Sequence, residues 1–287
     1  MDFLSPTTLA DALRLRAERP DATPIAGGTD VMVELNFDKH RPGALLDLTR
    51  VAELTSHSRD GDTVRLGAGV PYARVITELG DVLPGLAMAA RTVGSPQIRN
   101  RGTVGGNLGA ASPAGDSHPA LLAAGAEIEV ASARGPRTVP VGDFFVGPKR
   151  SALAADELIV AVRLPVAPGP QQFAKVGTRN AMVIAVCSFA VSLDPVTGRI
   201  GTGIGSAGPT PLRAPAAEEF AAAELTDRWD GGELPDGVAA RFGELVAAAA
   251  SPIDDVRGSA AYRRHALGVL ARRTLTWAWR QHCEGRR

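Results

Sequence analysis

Apolar residues near the start of the chain recur at helical spacing and then give way to a short apolar run. The helical spacing covers residues 8–19 and predicts a first helix. The apolar run at residues 23–26 predicts a buried strand that leads into a glycine pair, and apolar residues at 31–35 predict that a second helix follows. The sequence therefore predicts a strand, loop and helix unit after the first helix.

The same patterning predicts further strands and helices up to residue 164. Strands are predicted at residues 44–48, 63–69, 127–132, 137–141 and 157–164. Helices are predicted at residues 72–79, 86–92 and 119–124. Asp116 or Ser117 is expected to cap the last of these helices, with Pro119 in its first turn. A subdomain boundary is expected between residues 51 and 61.

A cluster of proline and glycine at residues 165–170 predicts the main domain boundary, because four of these residues are Pro or Gly. We therefore expect domains at residues 1–168 and 169–287. The first is expected to divide into subdomains at about 1–55 and 56–168.

Beyond this boundary the pattern predicts strands followed by helices. Strands at residues 183–193 and 199–206 are joined by a predicted turn, and an alanine-rich helical region ends with a helix over about residues 259–281. The expected fold class is α+β.

Composition excludes several classes of partner. Lys plus Arg and Asp plus Glu each number 31, so the net charge is zero and gives no general attraction for nucleic acid or anionic membranes. The two cysteines, Cys187 and Cys283, do not suggest a disulfide framework or an iron–sulfur cluster held by this chain. The chain lacks a signal-peptide pattern and a long apolar stretch, so we expect no membrane segment and a cytoplasmic location.

Two adjacent-glycine segments point to an anionic ligand. They read Ala26-Gly27-Gly28-Thr29-Asp30 and Thr103-Val104-Gly105-Gly106-Asn107. Glycine has no Cβ, so its backbone can lie against a ligand while successive N–H groups form an anion-binding nest. We expect two loops that hold one phosphate-containing ligand, with short polar donors at Thr29, Thr103 and Asn107.

The other sequence motifs give weaker evidence of function. Residues 203–208 match the dinucleotide fingerprint GxGxxG, but Pro209 and Pro211 follow, so a strand end with a turn is the better interpretation. The histidines show no metal-ligand spacing, so no metal site is expected; they are His40, His57, His118, His265 and His282. Three arginine pairs are expected on a solvated helix face unless a partner subunit covers them; they are Arg263-Arg264, Arg272-Arg273 and Arg286-Arg287.

The second glycine segment lies in a longer run that resembles a known family. The run reads Gln97-Ile98-Arg99-Asn100-Arg101-Gly102-Thr103-Val104-Gly105-Gly106-Asn107-Leu108 and continues through Ala111-Ser112-Pro113-Ala114-Gly115-Asp116. Together with the upstream segment, it is similar to the FAD-binding subunit of molybdenum hydroxylases: the medium subunit of aerobic carbon monoxide dehydrogenase and the flavin portion of xanthine dehydrogenase. The similarity covers nearly the whole chain.

The resemblance implies the fold and the cofactor site. It implies a two-subdomain FAD-binding domain of the PCMH/vanillyl-alcohol-oxidase type, then a C-terminal α+β domain of the carbon monoxide dehydrogenase flavoprotein type with a small antiparallel sheet. FAD would lie between the subdomains, and Lys175 would be an electrostatic partner of the reduced flavin. The implied cofactor-binding residues are Pro24, Ile25, Ala26, Gly27, Gly28, Thr29, Asp30, Val31, Val93, Thr103, Val104, Gly105, Gly106, Asn107, Asp116, Ile159 and Lys175.

Two positions depart from the family pattern. Val93 stands where some relatives have an aromatic residue against the cofactor, and Phe173-Ala174-Lys175 replaces a tyrosine-containing version. No cysteine-rich insertion is present, so the extra iron–sulfur cluster of the 4-hydroxybenzoyl-CoA reductases is not expected.

The resemblance also implies an electron-transfer role. A large partner subunit would hold the molybdenum cofactor, a small one would hold two [2Fe–2S] clusters, and FAD in this chain would pass electrons to NAD, a quinone or oxygen. We expect a dimer of heterotrimers and no catalytic residue for hydroxylation in this chain. The expected substrate of the complex is a purine or other N-heterocycle, or carbon monoxide.

Two alternatives stay open from the sequence. A stand-alone FAD-dependent oxidoreductase of the same superfamily would act on its own substrate and would need a catalytic acid in the C-terminal region, where the alanine-rich sequence offers little of that kind. A scaffold that had lost its flavin would have eroded glycine loops, whereas both segments are intact.

Overall fold

The computed structural model describes residues 1–39 and 41–285, so His40 and Arg286-Arg287 lie outside the described part of the chain. The strands are β1 (Asp2–Leu4), β2 (Ala22–Ile25), β3 (Ala44–Asp47), β4 (His57–Asp60), β5 (Thr63–Gly67), β6 (Glu127–Ser132), β7 (Gly135–Pro140), β8 (Phe145–Gly147), β9 (Arg150–Ser151), β10 (Leu158–Pro165), β11 (Gln171–Val176), β12 (Cys187–Asp194) and β13 (Arg199–Gly205). The helices are α1 (Leu9–Glu18), α2 (Val31–Asn36), α3 (Tyr72–Glu78), α4 (Pro84–Arg91), α5 (Pro96–Arg101), α6 (Val104–Ala110), α7 (Ser117–Ala124), α8 (Val141–Phe144), α9 (Pro215–Leu225), α10 (Val238–Ala249) and α11 (Ala260–Glu284).

The first sheet is parallel and has the strand order β1-β3-β2. Leu45 in its middle strand pairs with Phe3 on one side and Thr23 on the other. Ala12 of α1 packs with Leu46 of β3 in a small apolar cluster. This arrangement carries the chain from β2 directly into the first glycine segment.

The second sheet is antiparallel, with the order β4-β5-β10-β6-β7. Its central strand is β10, in which Val162 pairs with Leu66 and Ile128, and all three side chains are buried. Helices α3, α4, α6 and α7 contribute to the same apolar core. A β-bulge between Ile159 and Ala161 bends β10, as bulges do when one residue is left out of the pairing.

The third sheet is antiparallel, with the order β11-β12-β13. Phe189 in its middle strand pairs with Ala174 and Ile204. Helices α9, α10 and α11 pack against this sheet around a separate apolar core that includes Phe242 and Leu275. The C-terminal part of the chain is therefore a small sheet covered by helices.

Helix α7 joins the two parts of the chain through a glycine stripe on β13. A Cβ built on Gly201 would lie 2.1 Å from the carbonyl oxygen of Ala123, and one on Gly203 would lie 2.0 Å from that of Pro119. Alternate residues of a strand face the same side, so these glycines let the helix backbone lie directly on the sheet. The GxGxxG match is thus a strand end, as predicted, and its first glycine serves packing.

Several elements differ from the sequence prediction. The sequence did not predict strands β1, β4, β8, β9 and β11 or helices α5, α6 and α8, and the strand expected from residue 183 begins only at Cys187. Helix α5 buries none of its residues, so it has no apolar periodicity to detect. Strand β1 has three residues and is held by its pairing with β3, which is a tertiary contact. No helix within the described ranges is long and apolar enough to cross a bilayer.

Replacement of Gly203 by alanine should destabilise the protein. The added Cβ would lie 2.0 Å from a backbone oxygen of Pro119, so α7 would have to move away from β13. We expect a loss of about 2–3 kcal/mol in the free energy of unfolding, as for overpacked cores, measured by urea denaturation. Gly142→Ala is the matched control, because nothing lies within 4 Å of its built Cβ. Equal stability of the two variants would contradict the proposed packing role.

Candidate functional site

A cavity of about 940 Å³ lies where the two glycine segments meet. This volume is at the upper end of the range for small-molecule and cofactor sites. The structure brings most of the predicted site residues to its wall: Pro24, Ala26, Gly27, Gly28, Thr29, Asp30, Val31, Val93, Thr103, Gly105, Gly106, Asn107, Asp116 and Ile159. Three predicted residues, Ile25, Val104 and Lys175, do not line it.

The two glycine segments are in backbone contact. A Cβ on Gly27 would lie 2.0 Å from the carbonyl oxygen of Arg101, at the end of α5, just before the second segment. Gly28 has φ +74°, which residues with a side chain rarely adopt. Glycine at these two positions therefore serves the close approach of the chain and the turn.

The first segment presents unused backbone donors. None of the hydrogen bonds found among the described residues uses the N–H groups of Gly27, Gly28, Thr29 or Asp30. Buried or partly buried N–H groups are normally paired, so donors of this kind mark a binding site for an acceptor. This agrees with the nest predicted for the first segment.

The second segment is not the loop that the sequence predicted. Thr103 caps α6 by accepting a hydrogen bond from the Gly106 N–H at 2.9 Å, so the glycine pair lies in the first turn of a helix. The Gly105 N–H donates to the Ala68 carbonyl at 3.2 Å, and a Cβ on Gly105 would lie 2.5 Å from the Cβ of Ala68. Both N–H groups of this pair are hydrogen-bonded within the protein, so the second glycine pair supplies no backbone nest.

A buried polar chain fixes the side chain of Asn107. The Ser117 hydroxyl donates to the Asn107 Oδ1 at 2.7 Å, and the Tyr72 hydroxyl donates to the Ser117 oxygen at 3.2 Å. Burial raises the pKa of Tyr72, which keeps the phenol protonated as a donor. The Asn107 amide is thus oriented by its oxygen, which directs its N–H groups away from Ser117.

His118 lies behind this chain and not in the cavity wall. Its ring is fully buried, and its Nε2 lies 3.2 Å from the carbonyl oxygen of Asn107. Burial lowers the pKa of His118 to about 4, so the imidazole is neutral at physiological pH. This histidine supports the end of α6 rather than carrying a charge.

Asp116 and Lys175 form an ion pair between α7 and β11. Lys175 Nζ lies 2.7 Å from Asp116 Oδ2 and donates to the Thr92 carbonyl at 3.2 Å, and the two side chains are only 11% and 7% exposed in the order Asp, Lys. Asp116 holds the cap position of α7 but makes no side-chain cap bond, contrary to one prediction. Lys175 does not line the cavity itself, and it acts on the cavity wall through its ion pair with Asp116.

The other oxygen of Asp116 has no partner. Its Oδ1 is buried and makes no hydrogen bond among the described residues, although Asp116 lines the cavity. Burial raises the pKa of this carboxyl group, and the charge of Lys175 and its hydrogen bond act against the rise. An ionised carboxylate with one oxygen unused is an acceptor for an O–H or N–H donor of a ligand.

The rest of the wall was missed by the sequence reasoning. The additional lining residues with large or charged side chains are Arg16, Glu34, Leu48, Leu54, Tyr72, Ile98, Lys149, Leu153, Glu157, Leu158, Met182, Val183 and Ile184. They come from distant segments, and apart from Ile98, which lies in the run at residues 97–116, none stands in a motif that the sequence reasoning used for the site. Lys149 bonds to Glu34 at 2.6 Å between α2 and the β8–β9 hairpin. Among these segments, only Gly67-Ala68-Gly69 at the end of β5 has a pattern in the sequence, two glycines close together, that indicates close approach of another part of the chain.

The wall suits an elongated ligand with an anionic part and an apolar part. The unused N–H groups form one section, while Val93, Ile159 and residues 182–184 supply apolar surface elsewhere. Two ion pairs lie at the cavity: Asp116 pairs with Lys175, and Lys149 pairs with Glu34. The arrangement therefore supports binding and orientation of a ligand.

Comparison with protein families matches both parts of the chain. A family described as the FAD binding domain in molybdopterin dehydrogenase matches residues 1–167, and one described as the CO dehydrogenase flavoprotein C-terminal domain matches residues 172–278. The chain belongs to the FAD-binding subunits of the molybdopterin dehydrogenase family. The predicted family and the predicted α+β fold are confirmed.

Individual relatives agree with this membership. The nicotine 6-hydroxylase medium subunit of Paenarthrobacter nicotinovorans is 34% identical, over 96% of each chain. The putative xanthine dehydrogenase FAD-binding subunit XdhB of Escherichia coli is 31% identical, over 94% of this chain and 93% of that one. The structure superposes on reconstituted CO dehydrogenase from Oligotropha carboxidovorans with a TM-score of 0.90 and 28% identity, over 98% of both chains.

Removal of the Lys175 charge should make stability depend on pH. In Lys175→Met the Asp116 carboxyl group loses the partner that opposes its raised pKa, so the pKa rises further. A raised folded-state pKa favours the protonated form, so stability is kept near pH 4 and falls as pH rises through that pKa. We expect a deficit of about 3 kcal/mol at pH 8 and a smaller one at pH 5, measured by denaturant unfolding.

The double variant Asp116→Asn/Lys175→Met is the control for this experiment. It removes both charges, so it should cost less than the single variant and lack the additional loss of stability that the single variant shows between pH 5 and pH 8. A single variant whose deficit is constant between pH 5 and pH 8 would argue against an ionised buried Asp116.

Proposed function

We propose that the cavity binds one FAD and that this chain is the electron-transfer subunit of a molybdenum hydroxylase complex. One observation carries the proposal: residues 27–30, whose N–H groups make no hydrogen bond among the described residues, line the same cavity as the second glycine segment and Asp116, which has an unpartnered oxygen. A backbone nest suits a diphosphate, and a carboxylate oxygen suits a hydroxyl or ring N–H donor. Family membership gives independent support.

The proposed cofactor contacts divide into three groups. Residues 27–30 would bind the diphosphate through their backbone N–H groups, with Pro24, Ala26 and Val31 lining the adjoining wall. Residues 103–107 would form the opposite wall, with Thr103 capping α6 and the Asn107 amide oriented by Ser117. Val93 and Ile159 would supply apolar contacts, and Asp116 a hydrogen-bond acceptor.

The remaining predicted residues would act from behind the wall. Ile25 and Val104 hold their segments by packing, since neither lines the cavity. Lys175 would keep Asp116 ionised and fix its position relative to the Thr92 carbonyl. Its effect on the cofactor would therefore be indirect.

Bound FAD supplies the chemistry of accepting single electrons and delivering pairs, which side chains cannot do. The chain would orient the cofactor, exclude water from its buried part and hold a negative charge at Asp116. The molybdenum cofactor and [2Fe–2S] clusters would belong to a large and a small partner subunit, in a dimer of heterotrimers. NAD, a quinone or oxygen would be the acceptor, and the proposed location is the cytoplasm.

The names of the relatives support an N-heterocyclic substrate for the complex. They include subunits of nicotine 6-hydroxylase, xanthine dehydrogenase and caffeine dehydrogenase, next to carbon monoxide dehydrogenase. We therefore propose a purine or other N-heterocycle ahead of carbon monoxide. We also propose domains 1–168 and 169–287, supported by two apolar cores: one is built mainly from residues before 165, with Phe173 and Ala190 added from beyond it, and the other from residues 187–279.

Purification of the native protein should give stoichiometric FAD, and Gly27→Ala should lose it. The new Cβ would meet the carbonyl oxygen of Arg101 and separate the first nest from the second segment. We expect at least about a tenfold loss of FAD affinity, which corresponds to about 1.4 kcal/mol. FAD content is measured by absorbance and affinity by fluorescence titration of the deflavinated protein.

Gly142→Ala is again the control and should keep wild-type FAD content, because its site is open and outside the cavity wall. A colourless native complex would overturn the proposed function. A yellow monomer that reduces a substrate of its own would favour the stand-alone oxidoreductase.

A further inference from the structure

Helix α11 carries a basic and aromatic face on the outside of the C-terminal sheet. We call it the outer face of α11; its residues are Tyr262, His265, Val269, Arg272, Arg273, Thr276, Trp277 and Arg280. They recur at intervals of three and four, which places them on one side of a helix. Tyr262 and Trp277 are 49% and 44% exposed, and the three arginines are exposed.

The opposite side of α11 is fixed in the core. Leu267, Leu275 and Trp279 are buried against the third sheet and α10. The Trp279 indole N–H also donates to the Gly232 carbonyl at 2.9 Å. The outer face is thus held rigidly, so its side chains are presented in a fixed order.

The charge on this face is not balanced locally. Between residues 260 and 283 the helix contains no Asp or Glu, and no ion pair among the described residues involves Arg272, Arg273 or Arg280. Elsewhere arginines such as Arg74 and Arg137 pair with glutamates. Since the whole chain has zero net charge, these arginines do not belong to a general excess of positive charge.

We propose that the outer face of α11 docks a carboxylate-rich protein surface on a partner subunit of the complex. The guanidinium group of arginine pairs with carboxylates through two parallel hydrogen bonds. Tyrosine, tryptophan and arginine are also the residues that dominate protein interfaces. The nature of the surface follows from the residues, whereas its assignment to a subunit of the complex rests on the proposed function.

The size and composition of the face favour a protein over a nucleic acid. From Tyr262 to Arg280 it runs roughly 27 Å along the helix at 1.5 Å per residue, which matches the span of a standard protein interface. A chain with zero net charge lacks the broad positive field that nucleic-acid binding requires. Trp277 lies between Arg273 and Arg280, Val269 lies one turn before Arg272-Arg273, and both supply apolar surface.

Charge reversal in the native complex tests this proposal. The variant Arg272→Glu/Arg273→Glu/Arg280→Glu should raise the dissociation constant of the complex by about 100-fold or more, because attraction becomes repulsion at the interface. The constant is measured by dilution in mass photometry. The control Arg50→Glu/Arg59→Glu/Arg228→Glu makes the same charge change at exposed arginines elsewhere and should leave it unchanged.

Two further measurements separate this inference from folding and from the proposed function. FAD content should be equal in both triple variants, so a variant that has lost its fold is recognised at once. A photo-crosslinking amino acid in place of Trp277 should form its crosslink, in the native complex, with an acidic segment of a partner subunit, mapped by mass spectrometry. A native complex that carries the crosslinker at residue 277, contains no FAD and still gives this crosslink would refute the proposed function and support the docking surface.

Several results would overturn the docking surface. They are equal dissociation constants for the two triple variants, crosslinks from residue 277 to another copy of this chain, and loss of the bound partner on nuclease treatment. The last result would mean that a nucleic acid occupies the face.

Discussion

Direct backbone contact at glycine positions is the constraint on which the rest of this structure depends. Gly27 lies against the carbonyl of Arg101, Gly105 against Ala68, and Gly203 against the first turn of α7. At each point a methyl group would come within 2.5 Å of a neighbouring atom. Close packing of this kind brings segments of distant sequence to one cavity wall and fixes the C-terminal sheet against the same core.

The two glycine pairs are alike in sequence, but their glycines have different structural roles. Gly28 supplies a positive φ, Gly27 and Gly105 permit close approach, and the Gly106 N–H is consumed by the Thr103 cap. As a result, the glycines of the first pair offer unused backbone donors and those of the second pair do not. The second segment forms the first turn of α6. Its Asn107 side chain is oriented by a hydrogen bond from Ser117, which in turn accepts one from Tyr72.

Buried charge links the cavity to the C-terminal part of the chain. Lys175 extends from β11 to Asp116 at the start of α7, and both side chains are almost completely buried. Isolated charges at such depth are costly, so the pair is sustained by mutual attraction and by the Thr92 carbonyl. The outer face of α11 is the opposite case, since its arginines keep their charge in solvent and have no carboxylate partner among the described residues.

The sequence by itself determined the family, the α+β class, most of the elements with a buried face and the two segments that meet at the cavity. These features depend on local patterns: apolar periodicity, glycine pairs and cap residues act over a few neighbouring positions. The sequence did not predict helix α5, strand β1 or the wall residues at 182–184, because their positions depend on contacts with distant residues. Only the tertiary structure decided which N–H groups remain unused and that Lys175 acts through Asp116, because hydrogen bonds and ion pairs of this kind join atoms far apart in the chain.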